Sequence, residues 1–140
     1  MSVNLVKMCV GVDEIDELRH WQAKRLRESP EKKLQHVTRH RPKREEELLD
    51  GGSLYWIIKG QIRVRQRVIG LEDRVKEDGK PACGLILDPK LVLTDLRAMR
   101  PMQGWRYLEE KDAPRDLRKG DDLGNMPPKL IAELRALGIL

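Results

Sequence analysis

Three arginines alternate along one short stretch of the chain, at positions 63, 65 and 67. In an extended strand, residues two apart point to the same side, so Arg63, Arg65 and Arg67 would share one face. Like charges placed in this way repel each other unless an acidic or anionic group covers them. Arginine binds phosphate through paired, charge-assisted hydrogen bonds and can stack on bases, so the pattern predicts a binding face for a polyanion.

The excess positive charge of the chain lies around this stretch. The net charge is +5, and residues 51–76 carry six basic and two acidic side chains. A second basic block covers residues 32–44, and acidic residues at 45–47 and 50 follow it. We predict a nucleic-acid interface, most simply for RNA, made of Lys59, Arg63, Arg65, Gln66, Arg67, Arg39, Lys43, Arg44, Tyr55, Trp105 and Arg106. The alternative is that the arginines form salt bridges within the protein, to Glu72, Asp73, Glu77 or Asp88.

Aromatic residues are rare, with three tryptophans, two tyrosines and no phenylalanine. In residues 103–107, Trp105 and Tyr107 alternate with Arg106, an arrangement that can hold unstacked bases. The other interpretation is that Trp105 packs at the end of a barrel. Trp56 is predicted to lie in the core, so Tyr55 beside it points the opposite way and could face a ligand.

Other chemistries find little support in the residue spacing. His36 and His40 would be about 13 Å apart on a strand, too far to share a metal ion, so no metal is predicted. The sequence contains no P-loop, no dinucleotide-binding glycine motif and no Gly-x-Ser-x-Gly, and no cofactor is predicted. Asp112 and Asp116 lie four residues apart in a loop that contains Pro114. They could act as bases in an enzyme that clamps a nucleotide-like substrate with Arg65 and Gln66, or form a structural clasp with an arginine.

Hydrophobic periodicity predicts the elements that must position these groups. Strands are predicted at 3–10, 34–40, 54–58, 61–71, 82–87 and 91–94, and a long ordered loop with one short strand at 95–126. Helices are predicted after an N-cap at Asp13, at 43–50 and at 127–138. Ile62, Val64 and Val68 should share the face of the long strand opposite the arginines. The tryptophans, Trp21, Trp56 and Trp105, should be the large anchors of a core built from Leu, Ile and Val.

These expectations define the fold class and the cellular setting. The chain has 140 residues, which suits one domain over residues 1–140. We expect an α+β protein with a small mixed, mostly antiparallel sheet or partly closed barrel of five to seven strands, flanked by about three helices. Cys9 and Cys83 are predicted to be free thiols, and no apolar run or signal peptide is seen, so a cytoplasmic protein is expected. The oligomeric state is left open.

The chain as a whole resembles a known group of sequences. It is similar to an uncharacterised alphaproteobacterial protein family of about this length. The resemblance rests on the segments Leu-Val-Lys at 5–7, Pro-Lys-Arg at 42–44, Glu-Leu-Leu-Asp-Gly-Gly-Ser-Leu-Tyr-Trp at 47–56, Ile-Lys-Gly at 58–60, Gln-Gly-Trp-Arg-Tyr-Leu at 103–108 and Asp-Ala-Pro-Arg-Asp-Leu at 112–117. This family brings no known activity.

A short helix that ends in glycine, followed by strands with arginine on an open face, also resembles PUA-like domains, including the ASCH branch. This resemblance implies a small mixed barrel and RNA binding, and some ASCH members are hydrolases of modified nucleosides. The ASCH signature is Gly-x-Lys-x-x-Glu-x-Arg. Aligned from Gly52, the chain has Leu54 and Ile57 where the signature has Lys and Glu, so its catalytic role is not carried over. The functions that remain are RNA binding, a small enzyme on a nucleotide-like substrate, or a domain that binds an acidic protein.

Overall fold

The structure, a computed structural model, describes residues 2–117. Within these residues, seven strands, two α-helices and a short 3-10 helix follow one another. In order they are β1 (Val3–Met8), α1 (Ile15–Glu28), β2 (Leu34–Thr38), α2 (Glu45–Leu49), β3 (Ser53–Ile58), β4 (Gln61–Val75), β5 (Pro81–Leu87), β6 (Val92–Ala98), β7 (Trp105–Glu109) and the 3-10 helix (Glu110–Asp112).

The seven strands form one sheet in the order β2-β5-β4-β3-β1-β7, and β6 pairs with the first half of β4. Only β1 and β3 run parallel, and every other pair in this sheet is antiparallel. The predicted α+β class with a mixed, mostly antiparallel sheet is therefore confirmed. Strand pairing does not close the sheet, because β2 and β7 are its two ends. Residues 2–117 contain two α-helices rather than about three, and the third predicted helix, at 127–138, lies outside the described residues.

Glycines allow two tight connections in this sheet, the turn between β3 and β4 and the start of β3. Lys59 and Gly60 both have positive φ angles, 51° and 76°, as a tight two-residue hairpin turn between β3 and β4 requires. At Gly52, an added Cβ would lie 2.1 Å from the carbonyl oxygen of Val3 and 2.5 Å from that of Leu48. Gly52 therefore does more than end α2, since it lets the start of β3 pass between that helix and β1.

The sheet buries apolar side chains on both of its faces. The larger cluster includes Ile15 and Leu18 of α1 and alternate residues of the strands, among them Trp56 and Val64. The smaller cluster lies on the other face and contains Val6, Tyr55, Ile57, Ile62 and Leu108. The long strand β4 therefore contributes side chains to an apolar cluster on each face of the sheet.

A bulge in β4 changes which residues share a face. Trp56 pairs with Val64 but the next residue, Ile57, pairs with Ile62, so Arg63 is an extra residue in the ladder. As a result, Ile62 packs in the smaller cluster whereas Val64 packs in the larger one. The prediction that Ile62, Val64 and Val68 share one face is wrong at Ile62, because a two-residue period cannot anticipate a bulge.

Helix α1 buries one of its faces, but its tryptophan does not have the predicted role of a core anchor. Ile15, Leu18 and Gln22 are buried. Trp21 is 44% exposed, and the guanidinium of Arg25 lies 3.9 Å from its ring centroid. Trp21 is therefore a surface residue that stacks on a cation rather than a core anchor. No helix within residues 2–117 has the length and apolar character needed to cross a membrane.

Candidate functional site

The Arg65 side chain forms hydrogen bonds within the protein. Its Nε and Nη2 atoms donate to the two carboxylate oxygens of Asp116 at 2.7 and 2.8 Å, and its Nη1 donates to Ser53 Oγ at 2.9 Å. The carboxylate is the principal cause of the raised pKa of Arg65, so the guanidinium stays charged. The prediction that Arg63, Arg65 and Arg67 project outward without acidic partners is therefore wrong for Arg65, because Asp116 of the same chain accepts its hydrogen bonds.

Arg63 and Arg67, the other two arginines that were predicted to share a face with Arg65, differ from it and from each other. Arg63 occupies the bulge and is partly buried, so it does not continue the regular alternation. Arg67 pairs across the ladder with Ser53, is exposed, and has no carboxylate partner among residues 2–117. The three side chains therefore do not form one uniform basic face.

Gln66 lies on the core face of β4, where no solvent reaches it. Its side-chain amide and that of Gln22 form a reciprocal pair, with N···O distances of 2.7 and 2.8 Å. Trp56 Nε1 donates to Gln66 Oε1 at 2.9 Å, and Gln66 Nε2 donates to the carbonyl oxygen of Asp88 at 3.1 Å. Gln66 therefore joins α1 to β3 and β4 and is removed from the predicted interface.

A polar cavity of about 290 Å³ surrounds the pair of Arg65 and Asp116. We call it the Arg65 cavity. Its walls come from the start of β1, the β3–β4 pair and the segment after β7, and they comprise Ser2, Asn4, Gly51, Ser53, Tyr55, Arg65, Glu110, Ala113, Pro114, Arg115 and Asp116. Burial raises the pKa of Tyr55, so its hydroxyl remains protonated at neutral pH. Asn4 Oδ1 accepts a hydrogen bond from the backbone N–H of Ser53 at 2.9 Å, which fixes the floor of the cavity.

The second basic block is compensated in part, because Lys33, Arg41 and Arg44 each form ion pairs with carboxylates. Arg44 donates to Glu47 and Glu109, each with a shortest N···O distance of 2.6 Å. These hydrogen bonds raise the pKa of Arg44 and lower the pKa of both carboxyl groups. Of the predicted interface residues outside these pairs, Lys43 and Lys59 are exposed and have no acidic partner within the described part of the chain.

The aromatic stretch at 103–107 lies in a different setting. A cleft of about 580 Å³ is lined by Arg39, His40, Gln103, Gly104, Trp105 and Arg106, and we call it the Trp105 cleft. Trp105 Nε1 donates to the carbonyl oxygen of His40 at 2.9 Å, which fixes the edge of the partly buried indole. Arg106 bonds only to carbonyl oxygens, those of Gln103 and Trp105, both at 3.2 Å. Among residues 2–117, no carboxylate lines this cleft.

Burial shifts the pKa values of one histidine and one cysteine. His36 stacks edge-on against Trp56 at 5.1 Å between ring centroids, and burial lowers its pKa to about 4. Burial raises the pKa of Cys9 to about 11, which keeps the thiol protonated and unreactive. Within residues 2–117, no three histidine, cysteine, aspartate or glutamate side chains come together in a way that could hold a metal ion.

The structure therefore divides the predicted interface between separate places. Arg39, Trp105 and Arg106 line the Trp105 cleft, whereas Tyr55 and Arg65 line the Arg65 cavity. The sequence did not indicate that Ser2, Asn4 and Ser53 would share that cavity. Its only signal for the partner of Arg65 was the Asp-Ala-Pro-Arg-Asp segment at 112–116, where a structural clasp between Asp and Arg was one of the interpretations.

Comparison with known proteins gives one result. No curated protein and no solved structure is significantly similar to the chain. A family model, described as "Protein of unknown function (DUF1489)", matches residues 5–140. Because that match covers nearly the whole sequence, the chain belongs to the DUF1489 family.

Proposed function

We propose that the protein binds single-stranded nucleic acid, and RNA in particular, at the Trp105 cleft. One observation carries this proposal. A partly exposed indole lies in a cleft beside Arg39 and Arg106, and no carboxylate within residues 2–117 neutralises either arginine. The resemblance to PUA-like domains, which include RNA-binding members, supports the choice of RNA.

The chemistry of the cleft matches what an unpaired nucleotide offers. A base can stack on the indole ring, and such stacking is worth about 1–3 kcal/mol per base. The neighbouring arginines can bind the flanking phosphates through charge-assisted hydrogen bonds. The hydrogen bond from Trp105 to His40 holds the ring in place before binding, so little side-chain entropy is lost when the base arrives.

This proposal places the interface away from the β4 row from which the sequence interpretation began. Arg65 and Arg44 already bind carboxylates of the chain, so a phosphate would have to displace them. Arg67, Lys43 and Lys59 are exposed cations that can add weaker, non-directional attraction at the edge of a bound strand.

The test measures binding of a fluorescently labelled 12-nucleotide single-stranded RNA by anisotropy in 50 mM salt. Trp105→Ala should weaken binding by roughly 5- to 150-fold, because one stacked base is lost. Trp21→Ala is the matched control, since Trp21 is also an exposed tryptophan beside an arginine but lies on α1, outside the cleft. It should change the affinity less than twofold.

Two results would contradict the proposal: no RNA binding by the wild-type chain under these conditions, or equal losses in the two tryptophan variants. Should Trp105→Ala fail to fold, Arg39→Gln combined with Arg106→Gln tests the same cleft with surface changes only. A short polyglutamate that binds with equal affinity at the cleft would instead favour the interpretation as a domain for an acidic protein partner.

The enzyme alternative has one observation in its favour. It requires a pocket that contains Arg65 and an aspartate, and the Arg65 cavity contains Arg65 with Asp116. However, both oxygens of the Asp116 carboxylate already accept hydrogen bonds from the Arg65 guanidinium, so a substrate proton would have to compete with that ion pair. The cavity therefore offers recognition of a small molecule more readily than proton abstraction.

A further inference from the structure

A lysine and a histidine that are far apart in sequence lie beside the same tryptophan. Lys7 of β1 is in register with Trp56 on one side and with Trp105 on the other, so the lysine lies between two indoles on one face of the sheet. His36 of β2 stacks edge-on against Trp56, with 5.1 Å between the ring centroids. Both Lys7 and His36 are partly buried.

Helix α1 brings an arginine to the same place. The amide pair of Gln22 and Gln66, which also accepts the N–H of Trp56, packs α1 beside this tryptophan. Arg25 follows Gln22 by about one helical turn. Its charge reaches the His36 imidazole.

A lysine in the turn between β4 and β5 completes the group. Lys76 is partly buried, and its charge acts on the ammonium of Lys7. Asp78 in the same turn accepts the backbone N–H of Lys80 at 3.0 Å. We call the four side chains the His36 cluster, which consists of Lys7, Arg25, His36 and Lys76.

The His36 cluster has no acidic partner within residues 2–117. Neither of its lysines forms a hydrogen bond or ion pair through its ammonium group, and the guanidinium of Arg25 stacks on the Trp21 ring. The buried Nε2 atom of His36 has no hydrogen-bond partner. The Cys9 thiol close to Lys7 is uncharged at neutral pH, because burial raises its pKa to about 11.

Holding these groups together disfavours their charged forms. Burial is the main cause that lowers the pKa of Lys7, and repulsion by Lys76 adds to it. Burial also lowers the pKa of His36 to about 4, and the charges of Lys7 and Arg25 lower it further. An anion between these groups would favour each charged form and relieve the repulsion.

We propose that the His36 cluster binds a compact oxyanion with two negative charges, such as inorganic phosphate or the phosphate group of a phosphomonoester. Lys7 and Lys76 donate from the sheet and from its turn, and Arg25 donates from α1. Stacking on Trp21 occupies the flat face of the Arg25 guanidinium and leaves N–H donors at its edge. Charge-assisted hydrogen bonds of this kind are the strong ones in anion recognition.

The test titrates the protein with inorganic phosphate, sulfate and dimethyl phosphate at neutral pH and follows the His36 ring and the backbone amides by NMR. Phosphate and sulfate should cause saturable shifts at the His36 ring and at the amides of residues 7, 25 and 76. Dimethyl phosphate carries the single charge of a nucleic-acid phosphodiester. It should bind at least about fivefold more weakly, because Coulomb attraction scales with charge.

Variants locate the binding site. Lys7→Gln should weaken phosphate binding at least about tenfold, because one charge-assisted hydrogen bond is lost. Lys43→Gln is the matched control, since Lys43 is an exposed lysine on the segment before α2 and does not belong to the cluster. It should change the affinity less than about twofold. Should Lys7→Gln fail to fold, Lys76→Gln tests the same cluster from a turn.

The pH dependence of sulfate binding gives an independent check, because sulfate keeps its two charges between about pH 7 and pH 5. The charges that act on His36 come from Lys7 of β1 and Arg25 of α1, and its neighbours Leu85 of β5 and Trp56 of β3 are uncharged. A bound anion raises the pKa of His36, so the affinity for sulfate should increase at least about threefold as the pH falls over this range. His36→Gln should remove that increase.

Three results would each overturn the oxyanion site: no saturable shift with phosphate or sulfate, equal losses in Lys7→Gln and Lys43→Gln, or equal binding of phosphate and dimethyl phosphate. The last result would assign the cluster to a nucleic-acid backbone. RNA binding at the Trp105 cleft is measured separately by anisotropy, so phosphate binding without RNA binding, or the reverse, lets either proposal fail without the other.

Discussion

The Arg65 cavity contains an arginine that is paired with an acid, whereas the arginines of the Trp105 cleft have no such partner within residues 2–117. In the cavity, Asp116 holds the Arg65 guanidinium by two hydrogen bonds. In the cleft, Arg39 and Arg106 meet no carboxylate among residues 2–117. The comparison indicates that the presence of an acid beside an arginine matters more for polyanion binding than the number of arginines on a surface.

The first prediction concerns Gln66, which lies between Arg65 and Arg67 in sequence and faces the opposite way. Gln66→Leu should lower the free energy of unfolding by about 2–4 kcal/mol, because it leaves the Gln22 amide and the Trp56 N–H buried without partners. Urea denaturation measures the effect. Arg67→Leu, the exposed neighbour, should change stability by less than about 0.5 kcal/mol. Equal losses of stability in the two variants would contradict the assignment of Gln66 to the hydrogen-bonded core and of Arg67 to the solvent-exposed face of β4.

The second prediction tests the contrast between paired and unpaired arginines directly. A double-mutant cycle with Arg65→Gln and Asp116→Asn should give a coupling of about 1 kcal/mol, modest because the pair is only partly buried. Arg39→Gln in the cleft should leave stability unchanged within about 0.5 kcal/mol. A coupling of zero between Arg65 and Asp116, measured by urea denaturation, would remove the basis for treating the two regions as different.

The third and smallest effect is the pH dependence of a second paired arginine. Arg44 lowers the pKa of Glu47 and Glu109 below the ordinary value of 4.5. Carboxyl groups with lowered pKa values stabilise the fold above the ordinary value, and this stabilisation is lost as pH falls through their pKa in the folded protein.

The corresponding measurement compares urea midpoints of the wild type and Arg44→Gln at several pH values. The variant should be less stable at pH 6, and the difference should shrink as the pH falls below the ordinary value of 4.5 and through the lowered pKa of the two carboxyl groups. Lys43→Gln is the control next in sequence, whose lysine has no acidic partner within residues 2–117, and it should show no such pH-dependent difference. A difference for Arg44→Gln that stays constant with pH would contradict the assignment of these ion pairs.

The sequence predicted local structure well and long-range pairing poorly. Periodicity placed the strand that became β3, since this strand follows from residues next to one another. The bulge at Arg63 was missed because it depends on how β4 meets β3 and β6. Sequence reasoning sought the partners of the arginines on neighbouring strands, among residues 72–88.

The acid that binds Arg65 comes instead from position 116, 51 residues away along the chain. The backbone N–H of Leu117 donates to the carbonyl oxygen of Leu93 at 2.8 Å, and this contact with β6 brings the segment to the face of β4. No local pattern encodes such a contact. The Trp105 cleft was easier to anticipate, because its aromatic and basic residues adjoin each other in sequence and, within residues 2–117, only Arg39 and His40 come from elsewhere.

The most direct test of the central claim is the salt dependence of RNA binding between 50 and 200 mM salt. For single strands, the logarithm of the binding constant falls by about 0.7 per phosphate contact for each unit of log salt. Combined Arg39→Gln and Arg106→Gln should reduce the slope by about 1.4, whereas Arg65→Gln should leave it unchanged. A slope that flattens with Arg65→Gln and stays the same in the cleft variant would contradict the account.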